Sequence, residues 1–312
     1  MNHSRRLLPL FVLLAAAWAV FPGSARAGLS FDDQPVVVGN SADTAGGAGD
    51  AAAAPAAMAP TGFPLRIASY NIAHGRGVKV GGLNEIAKLK NLKAIAALLR
   101  REEVDVVGIS EISKHDARAK FIDQAKYLAN RLDFHHVYAE NTERGWGLVT
   151  SQGNAVLSRH PIVWSQNHKL WRISDASEQR GCLETLIDLG QGRRLRFLVC
   201  HLSTNSTESP RQIEQILALV KASKEPVVLA GDFNLRPTSG GIKALAKEMK
   251  DASAGLVTTQ AVKGSKESKI DYLFVAGPVT FGVAWTTGVK ERLSDHDCLI
   301  NRFWIGETPA AP

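Results

Sequence analysis

The sequence predicts an α/β protein in which two packed, mixed β-sheets are flanked by helices, a four-layered sandwich. Three observations carry that reading. Strand and helix patterns alternate through the first half of the globular region, while the middle and the end are richer in strands. Several apolar runs are near-continuous, as in strands covered on both faces. Short polar clusters fall where those runs end, which is where rigid elements hold loop residues for chemistry. With no internal repeat and no second break in composition, the pattern describes one domain.

Taken in order, Leu65–Ile72 reads as a strand, and a helix is expected from about Leu83 to Arg101, with Leu89, Leu92, Ile95, Ala96 and Leu99 at helical spacing. Val104–Ile109 is an apolar strand, Phe121–Leu132 a second helix and Phe134–Tyr138 a strand. Strands follow at Asn154–Ser158, Val163–Trp171, Cys182–Leu189 and Leu195–His201. Pro210 opens a third helix to Lys221, with Ile213, Ile216, Leu217 and Val220 along one face. A strand at Pro226–Ala230 precedes a helix over Gly240–Lys250, and three late strands are expected at Ile270–Val275, Val279–Thr286 and Cys298–Trp304.

Arg5 and Arg6 precede the apolar run Leu7–Val20, and Ala25-Arg26-Ala27 offers small residues for cleavage, so residues 1–27 read as an export signal. The run is too short for a comfortable membrane span. Residues 28–63 are mostly Ala, Gly, Asp and Pro, too poor in large apolar groups to offset their ordering entropy, and read as a disordered linker. A catalytic domain is expected over 64–306 and a flexible tail over 307–312. The mature protein is expected to be periplasmic or secreted, with no transmembrane anchor and no stable protein partner implied. Net charge is +7 over the whole chain. It is +8 for the part after the linker, 34 basic residues against 26 acidic, which suits an anionic substrate.

Cys182 and Cys200 are equidistant from Gln191 in the turn Gly190-Gln191-Gly192. A hairpin in that register sets them opposite one another, where either a disulfide or two buried free thiols can form. Neither their spacing nor that of Cys298 suits a zinc site.

The stretch Leu229-Ala230-Gly231-Asp232-Phe233-Asn234 delivers a carboxylate and an amide two residues apart. They share a focus if strand alternation persists. Four other strand ends carry complementary groups: Tyr70-Asn71, Ser110-Glu111, Cys200-His201 and Ser294-Asp295-His296. Carboxylates, amides and two imidazoles are the groups a divalent-metal phosphodiester site requires.

Seven segments resemble, in order, the motifs of the endonuclease/exonuclease/phosphatase superfamily. They are Ile67–Ile72, Val106–Ile112, Gly153–Arg159, Val199–His201, Gly231–Asn234, Ile270–Tyr272 and Ser294–His296. The resemblance spans roughly Leu65 to Phe303. It implies that Glu111 binds a catalytic Mg²⁺, for which Mn²⁺ can substitute, and that Asn71 and Asp295 contribute directly or through water. Mg²⁺ prefers hard oxygen donors and leans on one or two carboxylates, so this sparse set suffices. Asp232 resembles the residue that orients or deprotonates the attacking water, and Asn234 its neighbour that steadies the phosphate or the nucleophile. His296 resembles the imidazole at the scissile phosphate, with Asp271 orienting it. His201 resembles a second histidine of the deoxyribonuclease and sphingomyelinase branches that the abasic-site repair branch lacks.

Arg180 resembles an arginine that grips phosphate oxygens in several relatives, a task suited to a guanidinium, with a structural salt bridge as the competing role. Asn154 and His74 complete the substrate-binding candidates. His3, His115, His135, His136, His160 and His168 lack motif context and read as signal, surface or packing residues. Two departures stand out. Ala73 occupies the place of an acidic residue in the repair nucleases, and Ser151-Gln152 the place of a tyrosine, which leaves Gln152 or Asn154 to contact substrate.

The resemblance implies an exported Mg²⁺-dependent phosphoesterase in which water attacks phosphorus in line without a covalent intermediate. Its partner is a phosphorylated anion: nucleic acid, phospholipid head group or small phosphoester. A secreted endonuclease acting on DNA suits the charge and predicts salt-sensitive binding, yet no aromatic-interleaved basic tract appears. A sphingomyelinase-like phospholipid hydrolase requires an exposed apolar lip, and Trp164 and Trp171 read instead as sheet residues. A catalytically inactive binding module would show by loss of Glu111, Asp232 or His296, and all three are present.

Overall fold

A computed structural model describes residues 61–79, 82–144, 150–260, 268–288 and 291–307. The expected signal, nearly all of the expected linker and the end of the tail therefore lie outside the described residues.

The first half runs β1 (Phe63–Asn71), β2 (Val78–Lys79), β3 (Gly82–Leu83), α1 (Leu89–Arg101), β4 (Val106–Ser113), α2 (Gln124–Leu132), β5 (His135–Arg144) and β6 (Thr150–Ser158). Next come β7 (Ile162–Lys169), β8 (Gly181–Gly190), β9 (Arg193–His201), α3 (Glu208–Ala222), β10 (Val227–Asp232) and α4 (Gly240–Glu248). The chain closes with β11 (Lys250–Asp251), β12 (Asp271–Ala276), β13 (Val279–Phe281), β14 (Trp285–Thr287) and β15 (Cys298–Ile305).

One sheet has the order β13-β15-β1-β4-β6-β5, with β14 also on β15, and the other the order β11-β12-β10-β9-β8-β7. Both are centred on a parallel pair, β1 with β4 and β10 with β9, flanked by antiparallel neighbours. The carboxyl ends of these four strands carry Asn71, Glu111, His201 and Asp232.

Apolar side chains divide into three layers. Ile67, Val106, Val156, Phe197, Val199, Val228, Leu273 and Phe303 fill the space between the sheets. Tyr70, Ile72, Val107 and Ile109 pack outward against Leu92, Ile95 and Leu99 of α1 and Leu128 of α2. Leu198, Leu229, Tyr272 and Phe274 pack outward against Ile213, Ile216 and Val220 of α3 and Leu245 of α4. The arrangement is the four-layered sandwich expected from the sequence. Gly108 faces the other sheet closely: a Cβ there would lie 2.8 Å from Val199 Cγ2.

Several elements differ from expectation: β5 runs on to Arg144, β6 begins at Thr150, β2 and β3 are additional short strands, and four further elements change. α1 begins at Leu89, because Gly82, at φ +134°, and Asn84, whose amide donates to the Arg76 and Gly77 carbonyls, build a turn instead. α2 begins at Gln124: Phe121 takes φ +58°, and the Asp123 side chain caps the Lys126 N–H at 3.0 Å. The last turn of the fourth expected helix is the short strand β11. The expected strand Val279–Thr286 breaks into β13 and β14 at Gly282, whose N–H donates to the Arg302 carbonyl and whose carbonyl accepts from Asn301.

Cys182 and Cys200 do face each other across β8 and β9, and both, like Cys298, are buried free thiols. Burial raises the pKa of all three, so they pack as small apolar groups.

Candidate active site

The carboxylate of Asp232 is the meeting point of both sheets. It lies at the end of β10 and is buried. Gly231 before it has φ +152°, and a Cβ there would sit 2.1 Å from the Cys200 carbonyl oxygen, so only glycine lets β10 approach β9 this closely. Asn71 reaches across from β1 and donates its Nδ2 to Asp232 Oδ2 and to Glu111 Oε1, each at 3.1 Å. Its Oδ1 accepts from the Ala73 N–H at 3.0 Å. Asn71 thus braces two carboxylates through its nitrogen pole, rather than turning its oxygen toward a cation.

Glu111 stands at a bulge in the β4–β6 ladder, at φ +48°, an uncommon conformation for a residue with a side chain. Backbone strain of this kind persists where the surroundings over-determine it. The Glu111 side chain keeps 27 % exposure, far more open than the 2 % of Asp232. His74 approaches from the turn Ala73–Gly75, itself at φ +58°, with Nε2 3.4 Å from Glu111 Oε2 and Nδ1 2.8 Å from Ser113 Oγ. Gln124 fixes this turn by donating to the His74 carbonyl at 2.6 Å, while its oxygen accepts from the Ser113 N–H. Burial, with the cations of Arg118 and Arg76 nearby, lowers the His74 pKa to about 3. The ring is neutral, so one of its nitrogens carries a proton and the other accepts.

On the other side, His296 Nδ1 lies 2.8 Å from Asp271 Oδ2, and Nε2 lies 3.7 Å from Asp232 Oδ2. Thr259 Oγ1 donates to the same Asp271 oxygen at 2.8 Å. Burial works against the His296 cation, but Asp271 and Asp232 outweigh it and push the pKa up to about 10. Burial and the Asp271 charge push Asp232 up to about 7, with His296 pulling the other way. Gln260 forms an isolated bridge with His296, its amide 3.2 Å from Nε2. The doubly protonated ring favours the Gln260 amide oxygen on that side.

His201 Nε2 lies 3.5 Å from Asp232 Oδ2, and Arg180 Nη1 lies 2.8 Å from His201 Nδ1. Burial and then Arg180 lower the His201 pKa well below the ordinary range, so this ring is neutral. Arg180 also pairs with Glu178 at 3.2 Å. It therefore serves as part of an internal pair and as a neighbour of the cluster at once.

The placement of the remaining candidates is mixed. β10 ends at Asp232, and Asn234 adopts φ +51°, so the alternation expected to aim both side chains together does not continue. The link runs instead from the Asn234 N–H to Asp232 Oδ1 at 2.9 Å, while the Asn234 amide donates to the Leu202 carbonyl. Asp295 is half-buried next to His296 and accepts from Ser294 Oγ at 3.3 Å; Ser294 Oγ also donates to the Asn71 carbonyl at 2.7 Å. Asn154 is buried, and its Nδ2 donates to the carbonyls of Gly181 and Val199. The pole that could bind a phosphate oxygen is therefore spent on the sheet. Gln260, Ser113 and Gln124 had no motif to mark them and enter the site only through the fold.

Asp232, Asp271 and His296 can bring one ligand atom each within 4.8 Å of one another. With no cation bound, His296 holds a proton between these two carboxylates. Glu111 offers a second candidate: an open oxygen donor on a strained backbone, held by Asn71, has the chemistry a hard divalent ion accepts.

The layered fold and this cluster define a phosphoester-cleaving class of α/β sandwich. The chain belongs to the endonuclease/exonuclease/phosphatase family, whose model matches residues 68–296. Members are metal-dependent phosphoric ester hydrolases. Among solved structures, it is similar to an endonuclease/exonuclease/phosphatase from Beutenbergia cavernae DSM 12333, with 23 % identity over 80 % of this chain and 73 % of that one, and a TM-score of 0.65. The catalytic domain of human Nocturnin with bound sulfate is 17 % identical over 78 % and 94 %, at 0.62. A mannosyl-6-phosphatase from Bacteroides thetaiotaomicron VPI-5482 is 18 % identical over 77 % and 99 %, at 0.58. No curated protein matches. No helix among the described residues is long and apolar enough to cross a membrane.

Proposed function

We propose that this protein is an exported, Mg²⁺-dependent phosphoesterase that cleaves its substrate by direct attack of water, with Mn²⁺ able to replace Mg²⁺. One observation carries the reading: a single buried carboxylate, Asp232, is surrounded by Asn71, His201, His296 and the Asn234 N–H within 2.9 to 3.7 Å. Such a group can hold a water and take its proton at a pH near neutrality, since its pKa is about 7. His296, held as a cation by Asp271, offers its Nε2–H to the negative charge that grows on the phosphoryl oxygens. His201, neutral and steadied by Arg180, keeps the Asp232 carboxylate aimed. Glu111, braced by Asn71, would hold the metal together with Asp295 and water, and the metal when bound would neutralise phosphoryl charge as a Lewis acid. Export rests on residues 1–27, and mass spectrometry of protein from the periplasm or medium should find Gly28 at the mature amino terminus.

An exposed lip for lipid surfaces finds little support. Trp164, on the edge strand β7, is exposed with Arg196 at 5.3 Å over its ring, and Trp171, expected in that strand, lies in the loop after it under Arg211 at 4.2 Å. The test is hydrolysis of p-nitrophenyl phosphate and bis(p-nitrophenyl) phosphate with Mg²⁺ or Mn²⁺. Asp232→Asn should lower kcat at least about 100-fold. Undiminished turnover in that variant, or full turnover in a chelator, would sink the proposal.

A further inference from the structure

A polar cleft leads away from His201 and Glu111, between the β5–β6 pair and the loop that joins β7 to β8, and widens to about 330 Å³ beside Asn141 and Ser177. Its far wall is built rather than loose. Arg172 gathers the Asp175 and Ser177 carbonyls together with the Asp175 carboxylate, and buried Glu208 accepts the Ile173 N–H at 2.9 Å.

The hydrogen-bonding capacity left over in this cleft is of both kinds: donors come from Asn141 (whose oxygen accepts from Asn167), Lys169 and Arg180 Nε, and acceptors from side-chain amides and a hydroxyl. Three carboxamides are oriented by what their nitrogens face. Asn154 donates to two sheet carbonyls, Gln179 donates to the carbonyls of Leu170 and Arg180, and Gln152 donates to Glu178. Each amide therefore keeps its oxygen for something else, and Asn154 Oδ1 is buried without a partner. Thr142 Oγ1 spends its proton on the Gln179 carbonyl at 2.9 Å and keeps its lone pairs.

Charge in the cleft is nearly balanced: Arg180 pairs with Glu178 at 3.2 Å and Arg172 with Asp175 at 2.6 Å, while Glu111 and Lys169 add one charge of each sign, Lys169 being the single lining cation outside those two pairs among the described residues. A nucleic-acid backbone needs unpaired cations, and splayed bases need aromatic faces. The sole ring among the described lining residues is the His201 imidazole. A wall that mixes acceptors with a few donors and is close to neutral fits a group whose hydroxyls both donate and accept.

We propose that the cleft receives the alcohol portion of the substrate and that this portion is polyhydroxylated, so that the enzyme acts on a phosphate ester of a sugar or cyclitol. The inference rests on the phosphoesterase reading and assigns its substrate class. Hydrolysis accordingly adds water across the P–O bond, releasing the free polyol and a phosphate that carries the new oxygen.

The test compares glucose 6-phosphate with hexyl phosphate, and the p-nitrophenyl diester of each, alongside a single-stranded oligonucleotide, on the full chain with Mg²⁺ or Mn²⁺. The two alcohols have the same carbon count and differ in hydroxyls. The glucose ester of whichever kind is cleaved should be preferred at least about tenfold in kcat/KM, because a site built for hydroxyls discriminates against analogues that lack them. Gln152→Met and Thr142→Val, on different strands, should each reduce that preference at least about fivefold, mainly by raising KM for the glucose ester. Equal or better turnover of the hexyl esters, best turnover of the oligonucleotide, or a preference that survives both substitutions overturns the assignment while leaving phosphoester hydrolysis standing. Failure to cleave any of these esters overturns both.

Discussion

His74 and His296 are both buried imidazoles in contact with a carboxylate, yet the fold sets one pKa near 3 and the other near 10. Burial lowers both, so burial does not separate them. The neighbours do. His74 has Glu111 at 3.4 Å, but Arg118 and Arg76 stand behind it. His296 has Asp271 at 2.8 Å, Asp232 at 3.7 Å and Asp295 beside it in the chain. The first ring is a fixed neutral partner that orients a carboxylate; the second is a stored proton facing the reaction. The orienting half comes from β1 and β4, whereas the proton-holding half joins both sheets: the carboxylates stand on β10 and β12, and His296 precedes β15, the neighbour of β1.

The comparison breaks most sharply at Asp271. Asp271→Asn removes the main partner of the His296 proton and should cost about 100- to 1,000-fold in kcat. The His296 pKa, followed by NMR, should fall well below 10. A variant that kept its rate would mean that the cation is not needed. A smaller effect is expected on the other half. His74→Gln should weaken Mn²⁺ binding about 10- to 100-fold by calorimetry, with a milder loss of kcat at saturating metal, because an outer partner orients the Glu111 carboxylate. Unchanged Mn²⁺ affinity would detach His74 from the metal half.

The smallest effects are those on stability, read by urea denaturation of metal-free protein across pH. His296 has a folded pKa raised above its unfolded value of about 6.5, so its contribution is complete below about pH 6.5 and disappears as pH rises through 10. His74 has a folded pKa below that value, so its contribution is complete above about pH 6.5 and disappears as pH falls toward 3. His296→Gln should flatten the alkaline limb and His74→Gln the acid limb. Exchange of those two outcomes would invert the assignment.

Much of this was legible in the sequence because its signals are local. Apolar runs and helical spacing marked the central strands and the amphipathic helices, and the layered arrangement followed from their order. The groups Asn71, Glu111, His201 and Asp232 were visible for the same reason, each ending an apolar run, and His296 stands just before one. What escaped was whatever depends on backbone outside the regular wells. Glu111 and Asn234 take left-handed conformations that strand alternation does not foresee, and the latter redirects its amide to Leu202. The bond partners of Asn154 could not be read either, since Gly181 and Val199 are 27 and 45 residues away. Gln260 sits next to His296 only because an isolated bridge joins segments 36 residues apart.

Gly108 turns the seam between the sheets into a gauge. Asn71 and Asp232 grip one another from opposite sides of it, 161 positions apart along the chain. The missing methyl of Gly108 lets Val199 and Phe197 nest against β4. An alanine at that point would work as a shim, prying the halves of the catalytic centre asunder from a spot that touches neither. Hydrolysis in this enzyme thus doubles as a caliper for how tightly its layers close.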